Sequence, residues 1–338
     1  MSERVADRES NSERVIAVAP MMGRTDRHCR YFHRLLSSRV LLYTEMITSA
    51  ALVRGCAHHL LEFNEAEHAV ALQLGGSDPR ELADAAQLGA NAGYDEINLN
   101  VGCPSDRVQS GGIGAILMKT PKHLAHCLEA MCNRVTVNIT VKCRIGVDEQ
   151  RPEEILPRFL ATVFSAGCKR VIIHARKAVL SGLSPKKNRE IPPLDYPLIY
   201  EMKNRFSEKH ISINGGINSL TQTKEFLDGG LDGVMIGRAA YDQPAQILGQ
   251  LDQKIFGTDR ISEPLRVGYA MLPYIEAHLQ SGGRLNQVTR HMMGLFSGLP
   301  GSKLWRQTLN QESVQGKTGS ELVDAALACV AERNGHTV

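Results

Sequence analysis

A (β/α)8 barrel of the TIM-barrel type, followed by a small all-α helical bundle, is the architecture this sequence predicts. Two observations predict it. Eight short β-rich runs recur through the first 245 residues with helical patterning between them. Beyond residue 245 the strand signals stop, and helical segments separated by Gly, Pro and Ser breaks remain.

The runs are VIAVA (15–19), VLLYTEM (40–46), AVALQL (69–74), EINLN (96–100), ITVKC (139–143), RVIIHA (170–175), ISING (211–215) and GVMIG (233–237). Near-continuous apolar strands of this kind belong to parallel sheets covered by helices. The segments between them carry helix signals. Ser77-Asp78-Pro79 opens a helix that Gly93 closes, and the helix near Leu220 to Leu227 ends at Gly229-Gly230. Eight such units in about 240 residues suit a closed barrel better than an open doubly wound sheet. The first run ends Ala19-Pro20-Met21-Met22-Gly23, without the G-x-G-x-x-G of a dinucleotide-binding turn. Helices are predicted at 245–256, 262–281, 284–297, 301–311 and 319–333. The expected organisation is a flexible tail (1–14), a catalytic barrel (15–245) and a helical domain (260–335), with the boundary in 245–260.

Of the 338 residues, 43% are hydrophobic and 22% charged, an ordinary globular composition. No apolar run approaches the roughly 20 residues that span a bilayer. The opening MSERVADRESNSER lacks the apolar core of a signal peptide. A cytoplasmic monomer without a membrane or an obligate protein partner is expected. The eight cysteines form no C-x-x-C pair and do not cluster with histidine at ligand spacing, so reduced thiols and no metal site are expected. The net charge is only +3, but its distribution is informative. Arg176, Lys177, Lys186, Lys187 and Arg189 occupy one acid-free stretch, and Arg284, Arg290, Lys303 and Arg306 another. Two such stretches in a nearly neutral chain point to a polyanion surface, with solvated basic loops as the plain alternative.

Barrel chemistry sits at the C-terminal ends of the strands. Here those ends deliver Pro20-Met21-Met22, Glu45-Met46, Gln73, Asn98, Asn100 to Cys103, Lys142 with Arg144, His174 with Arg176, Asn214-Gly215-Gly216 and Gly237-Arg238. The glycines after strands seven and eight allow backbone N–H groups close to a phosphate, and Arg238 adds a charged donor. Lys142 points an ammonium into the mouth, unless it simply pairs with Glu45. Gln73 can meet an imide-like edge, and His174 a phosphate or ring oxygen. A phosphate site, a lysine beside a ring and an amide donor together suit flavin mononucleotide, FMN. Cys103, between Gly102 and Pro104 where the fourth strand stops, reads as a buried small side chain, a metal ligand, a nucleophile or a proton donor.

The segments AVAPMM, LQLGGSDP, YDEINLNVGCPSDRVQSG, VIIHARKA…LSGLSPKKNREIPPLDYP and SINGGI resemble the tRNA-dihydrouridine synthases. The stretch HARKA…GLSPKKNREIPPL is similar to their A subfamily, and the resemblance spans roughly residues 15–310. It implies FMN held by Pro20, Met21, Met22, Gln73, Lys142, His174, Asn214, Gly215, Gly216, Gly237 and Arg238. It implies reduction of the uracil C5=C6 bond in tRNA, at D-loop positions 20 and 20a, with electrons from NADPH (or NADH). Hydride would pass from flavin N5 to C6, and Cys103 would donate the proton to C5. A thiol near its unperturbed pKa of about 8.5 is mostly protonated at neutral pH, as that role requires. Stacked uracil must be extruded to reach a flavin, a cost met by contacts elsewhere on the RNA. The resemblance implies such contacts from Lys186, Lys187, Arg189, Lys303 and Arg306, with Asn100 and Arg107 nearer the target nucleotide. Trp305 reads as a core anchor of the bundle rather than a stacking platform.

The sequence departs from the family in two places. Gly23-Arg24 replaces the usual Asp-Trp after A-P-M-x, and Gly112-Ile113 replaces a bulky residue followed by phenylalanine. Two other readings stand beside this one: a flavin barrel acting on a free pyrimidine or small enone, and a tRNA-binding protein that has lost catalysis.

Overall fold

A computed structural model describes residues 14–314 and 319–333, excluding the side chains of Arg107 and of residues 311–314. The expected tail therefore lies outside the described residues except for Arg14. The strands are β1 (Val15–Val18), β2 (Leu42–Thr48), β3 (Val70–Gly75), β4 (Glu96–Val101), β5 (Asn138–Arg144), β6 (Arg170–His174), β7 (His210–Asn214) and β8 (Gly233–Ile236). All pair in parallel in the order β1-β8-β7-β6-β5-β4-β3-β2. An Ala17–Leu41 bridge, with Val18 N donating to Leu41 O at 3.0 Å, joins the two edges and closes the cylinder. Each predicted run is thus a strand, to within one or two residues.

The principal helices around the sheet are α1 (Arg27–Leu36), α2 (Pro79–Asn91), α3 (Pro121–Arg134), α4 (Pro152–Ser165), α5 (Tyr196–Arg205) and α6 (Leu220–Asp228). Their starts follow from side-chain caps. Asp26, Asp78, Asp195 and Ser219 each accept a backbone N–H of the first turn, and Pro79 and Pro121 sit where a helix needs no N–H. Successive strand residues point to opposite faces. The outward set, including Ile16, Val18, Leu72, Ile97, Leu99, Val141, Ile173, Ile213 and Val234, joins the buried helix faces in one large core. The inward set contains a separate small cluster of Ala17, Ala19, Leu41, Tyr43, Ala71, Ile172 and Met235.

Much of the rest of the inward set is polar and joined by hydrogen bonds. Arg170 donates to Glu96 in a buried ion pair, and Glu96 also accepts the Tyr43 hydroxyl at 2.5 Å and the Thr140 hydroxyl at 2.7 Å. Above it, Asn98 Nδ2 donates to Thr140 Oγ1 at 2.8 Å, and Gln73 Nε2 donates to Asn98 Oδ1 at 2.9 Å. Asn100 Nδ2 donates to Gln73 Oε1 at 2.8 Å, and Cys103 N donates to Asn100 Oδ1 at 3.0 Å. Every donor in this row of bonds points down the barrel toward the Glu96 carboxylate, so each bond polarises the next. Burial works against the Arg170 charge, but Tyr43 and Glu96 more than restore it and hold its pKa above the usual guanidinium value.

After β8 the chain forms short helices at Arg238–Asp242, Pro244–Ile247 and Leu251–Lys254. Then come α7 (Pro264–Ala270), α8 (Leu272–Gln280), α9 (Leu285–Met292), α10 (Ser302–Val314) and α11 (Ser320–Arg333). The helices expected at 245–256 and 262–281 are each broken, the second at Met271, where Pro273 in the first turn of α8 supplies no N–H to continue α7. Trp305 is fully buried; its ring nitrogen donates to Met292 O at 3.0 Å, and its ring meets Phe296 edge-on, centroids 5.2 Å apart. The helical region seats on α1. Tyr274 stacks on Tyr31 at 4.1 Å, its hydroxyl lies 2.8 Å from His28 Nδ1, and Asp26 pairs with Arg290 and His291. No helix among the described residues is long and apolar enough to cross a membrane.

Candidate active site

Strand register sets the mouth of the barrel. Asn100 lies beside Lys142, Arg144 beside His174, and His174 beside Asn214. Since residues two apart share a face, Gln73, Asn98, Asn100, Lys142, His174 and Asn214 all belong to the inner face. They are not level. Gln73 is only 1% exposed and sits beneath Asn100, one layer lower than a rim position.

Asn100 shapes the turn that carries the cysteine. Its Oδ1 accepts the N–H groups of both Gly102 (3.1 Å) and Cys103 (3.0 Å), an Asx-type turn. With its amide nitrogen on Gln73, Asn100 is engaged within the chain on both sides. Cys103 is half-buried, and its Sγ lies 3.6 Å from Ser105 Oγ. Arg144, which the strand-end reading left without a role, is 3% exposed and has no carboxylate partner among the described residues. It donates instead to three carbonyls, Gly102 O (3.1 Å), Lys177 O (3.0 Å) and Asn188 O (2.9 Å).

Lys142 is half-buried and makes no ion pair among the described residues, which removes the simple pairing with Glu45. Burial, reinforced by repulsion from Arg144, lowers its pKa to about 8. His174 is 8% exposed, and burial together with the charges of Arg144, Lys142 and Arg176 keeps its ring neutral, its pKa well below the usual value. Its buried Nε2 has no partner among the described residues, and neither has the buried Nε of Arg176. A Cβ on Gly215 would come within 2.9 Å of the His174 ring, and φ of +108° there also favours glycine. The Tyr196 hydroxyl donates to Gly215 O at 2.8 Å and fixes this peptide's orientation. Asn214 Nδ2 donates to Met235 O at 2.7 Å.

At the end of β1, Pro20 and Met21 are half-buried and Met22 is 66% exposed. Gly23 N donates to the Glu45 carboxylate. Arg24 pairs with Asp242 at 3.1 Å and lies over the Tyr241 ring at 4.6 Å, and Tyr241 OH is 3.0 Å from His291 Nδ1. The Gly23-Arg24 departure therefore ties the first strand end to the segment after β8. In the second departure Gly112 adopts φ +68° and Ile113 is buried.

Lys186, Lys187 and Arg189 are exposed on the loop after β6. Gly237 is half-buried, and exposed Arg238 pairs with Glu190 of that loop at 3.0 Å. Lys303 and Arg306 are exposed on α10, apart from the barrel strands, with Arg306 Nε on Ser302 O at 3.2 Å. The Arg107 side chain lies outside the described residues. The sequence reading gave Arg144 no role and missed Gln109, Asn188 and Tyr196, whose side chains likewise act on backbone elsewhere in the chain. Only the buried polar type of Asn188 within a basic run was a local signal.

The fold is shared with solved old yellow enzyme structures at low identity. An old yellow enzyme homologue from Zymomonas mobilis superposes with a TM-score of 0.53 at 12% identity, covering 74% of this chain and 90% of that one. The old yellow enzyme from Trypanosoma cruzi gives 0.52 at 10% identity over the same shares. Sequence relatives are far nearer. The tRNA-dihydrouridine(20/20a) synthase of Shewanella oneidensis is 54% identical over 321 residues, 95% of each chain. That of Escherichia coli K12 is 52% identical over 319 residues, covering 94% of this chain and 92% of the relative. The family model described as dihydrouridine synthase (Dus) matches residues 17–331. With the family match running through both the barrel and the helices that follow it, this chain belongs to the dihydrouridine synthase family.

Proposed function

We propose that this enzyme reduces uridine to 5,6-dihydrouridine at positions 20 and 20a of the tRNA D-loop, as the names of its relatives state for them. FMN would serve as bound cofactor and NADPH as electron donor. The observation that carries the site assignment is the juxtaposition of half-buried Cys103, unpaired Lys142 and the orphaned Nε2 of His174 at one barrel mouth.

The residues present fit FMN. His174 Nε2 lacks a partner that a flavin or phosphate oxygen would supply, and Gly215 leaves open the space beside it. Asn214, Gly215, Gly216, Gly237 and Arg238 would hold the phosphate end, and Lys142 the ring, flanked by Pro20, Met21 and Met22. Gln73 would contribute from below, through the N–H left after its bond to Asn98. When bound, reduced FMN supplies hydride from N5 to uracil C6, and NADPH restores it. As negative charge develops toward C5, Cys103 delivers a proton there from the thiol that the Asn100 turn holds over the mouth. Lys142 would hold positive charge beside a bound flavin ring, which would favour the reduced form. The exposed Lys186, Lys187 and Arg189 would hold tRNA phosphates beside the mouth, and Lys303 and Arg306 phosphates farther along; we place this second contact in a helical domain at 260–335.

Nucleoside mass spectrometry of tRNA from a deletion strain tests the assignment. Dihydrouridine at 20 and 20a is expected to disappear and to return with the wild-type chain. If it persists with no redundant enzyme, the proposal fails. Equal reduction of free uracil and tRNA, unaffected by neutralising Lys303 and Arg306, would favour the free-pyrimidine reading instead.

The Lys142 charge has a pH consequence. The ammonium is the form present below its pKa, so it is lost as pH rises past about 8. Lys142→Met is expected to slow NADPH-driven bleaching of the flavin by about 10-fold or more. Raising the pH from neutrality should reproduce part of that loss in wild type but not in Lys142→Arg. Stopped-flow absorbance across pH checks both, and parallel profiles for wild type and Lys142→Arg would refute the role.

A further inference from the structure

The three carbonyls around the cysteine are all held. Cys103 O accepts Ala115 N at 2.9 Å, across Gly114, where a Cβ would meet that same oxygen at 2.6 Å. Gly102 O accepts Arg144 Nε, and Pro104 O accepts Gln109 Nε2 at 2.8 Å. These two side chains do more than brace the turn. The Gln109 amide nitrogen also donates to Leu180 O at 2.9 Å, and Arg144 also donates to Lys177 O and Asn188 O. The carbonyls on either side of Cys103 are thus each stitched, through one side chain, to the loop after β6.

That loop is itself folded around the buried side chain of Asn188. Asn188 is fully buried; its Oδ1 accepts Val179 N at 2.8 Å, and its Nδ2 donates to Val179 O (2.8 Å) and Leu183 O (3.1 Å). Its neighbours Lys187 and Arg189 are exposed. Leu180, which Gln109 grips by its carbonyl, is held at its N–H by Asp148 Oδ1 at 2.8 Å. The exposed cations and the thiol therefore belong to one hydrogen-bonded body.

We propose that Gln109 and Arg144 are positioning residues that set the proton-donating thiol in register with the basic loop, so that RNA engaged on Lys186, Lys187 and Arg189 presents its extruded uracil to Cys103 at the reacting distance. The inference rests on the functional reading above. Gln109 is the residue to test, because Arg144→Ala would take the donor from three carbonyls, one buried and two part-buried, and endanger folding. Gln109→Met keeps length and removes both donated bonds, whereas Gln109→Lys keeps a donor for both carbonyls.

Two measurements decide it. In FMN-loaded enzyme, Gln109→Met is expected to leave flavin reduction by NADPH and tRNA affinity within about twofold, while anaerobic reoxidation by unmodified tRNA falls about 10-fold or more. Gln109→Lys should recover most of that loss. In the flavin-free protein, hydrogen exchange of Gln109→Met should quicken together in 103–115 and 177–191, with β1 and β7 unchanged. Unchanged reoxidation in Gln109→Met, an equal loss in the NADPH step, or faster exchange confined to 103–115 would each overturn the proposal. If wild type itself is not reoxidised by tRNA, the functional reading fails, and hydrogen exchange still decides whether Gln109 joins the two loops.

Discussion

Replacing Cys103 by alanine is expected to lower dihydrouridine formation by 10²- to 10⁴-fold, the usual contribution of a positioned general acid and about 3–5 kcal/mol of barrier. The loss should fall on one half of the catalytic cycle. In the cycle proposed above, flavin reduction by NADPH would not use the thiol, so it should stay within about twofold of wild type. The turn should survive as well, because it is made by Asn100 Oδ1 and backbone N–H groups, with no contribution from the sulfur. Single-turnover mixing of reduced enzyme with unmodified tRNA, followed by nucleoside mass spectrometry, separates the two halves. Activity within about threefold of wild type would remove Cys103 from the mechanism. Serine keeps a proton but donates it less readily, so Cys103→Ser should fall between the two.

Glu96→Gln is expected to destabilise the barrel by about 3–5 kcal/mol, because it leaves the Arg170 charge buried without its counter-ion. The amide also removes the anionic acceptor on which Tyr43 and Thr140 converge. Urea denaturation should show the midpoint falling without much change in slope. A double variant, Glu96→Gln with Arg170→Met, should regain part of the loss, since the uncompensated charge is gone. A single-variant cost under about 1 kcal/mol would mean that water, rather than Glu96, balances Arg170.

The strands were legible because their outward residues alone, such as Ile97, Leu99 and Val141, form apolar runs bounded by turn signals. The inward pairing was not legible. Glu96 and Arg170 are 74 residues apart, and nothing local to either marks the other as its partner. The mouth was partly legible. Cys103, Lys142 and His174 stand at strand ends, where topology makes position informative. Asn100 and Gln73 stand there too, but the inner layers bind them to each other, one shaping a turn and the other lying below the rim. Arg24 looked like a loss at the first strand end. Its partner Asp242 lies 218 residues further on and becomes visible only when β1 and β8 are placed side by side.

The single tryptophan of the chain lies outside the barrel, in the interior of the helical region against Phe296. Nature has thereby installed two separable optical reporters. Indole fluorescence would follow the packing of the helical region around Trp305, while the visible absorbance of a bound flavin would follow the barrel mouth. Comparing the two signals during denaturation would show directly whether the helical region melts with the barrel or before it.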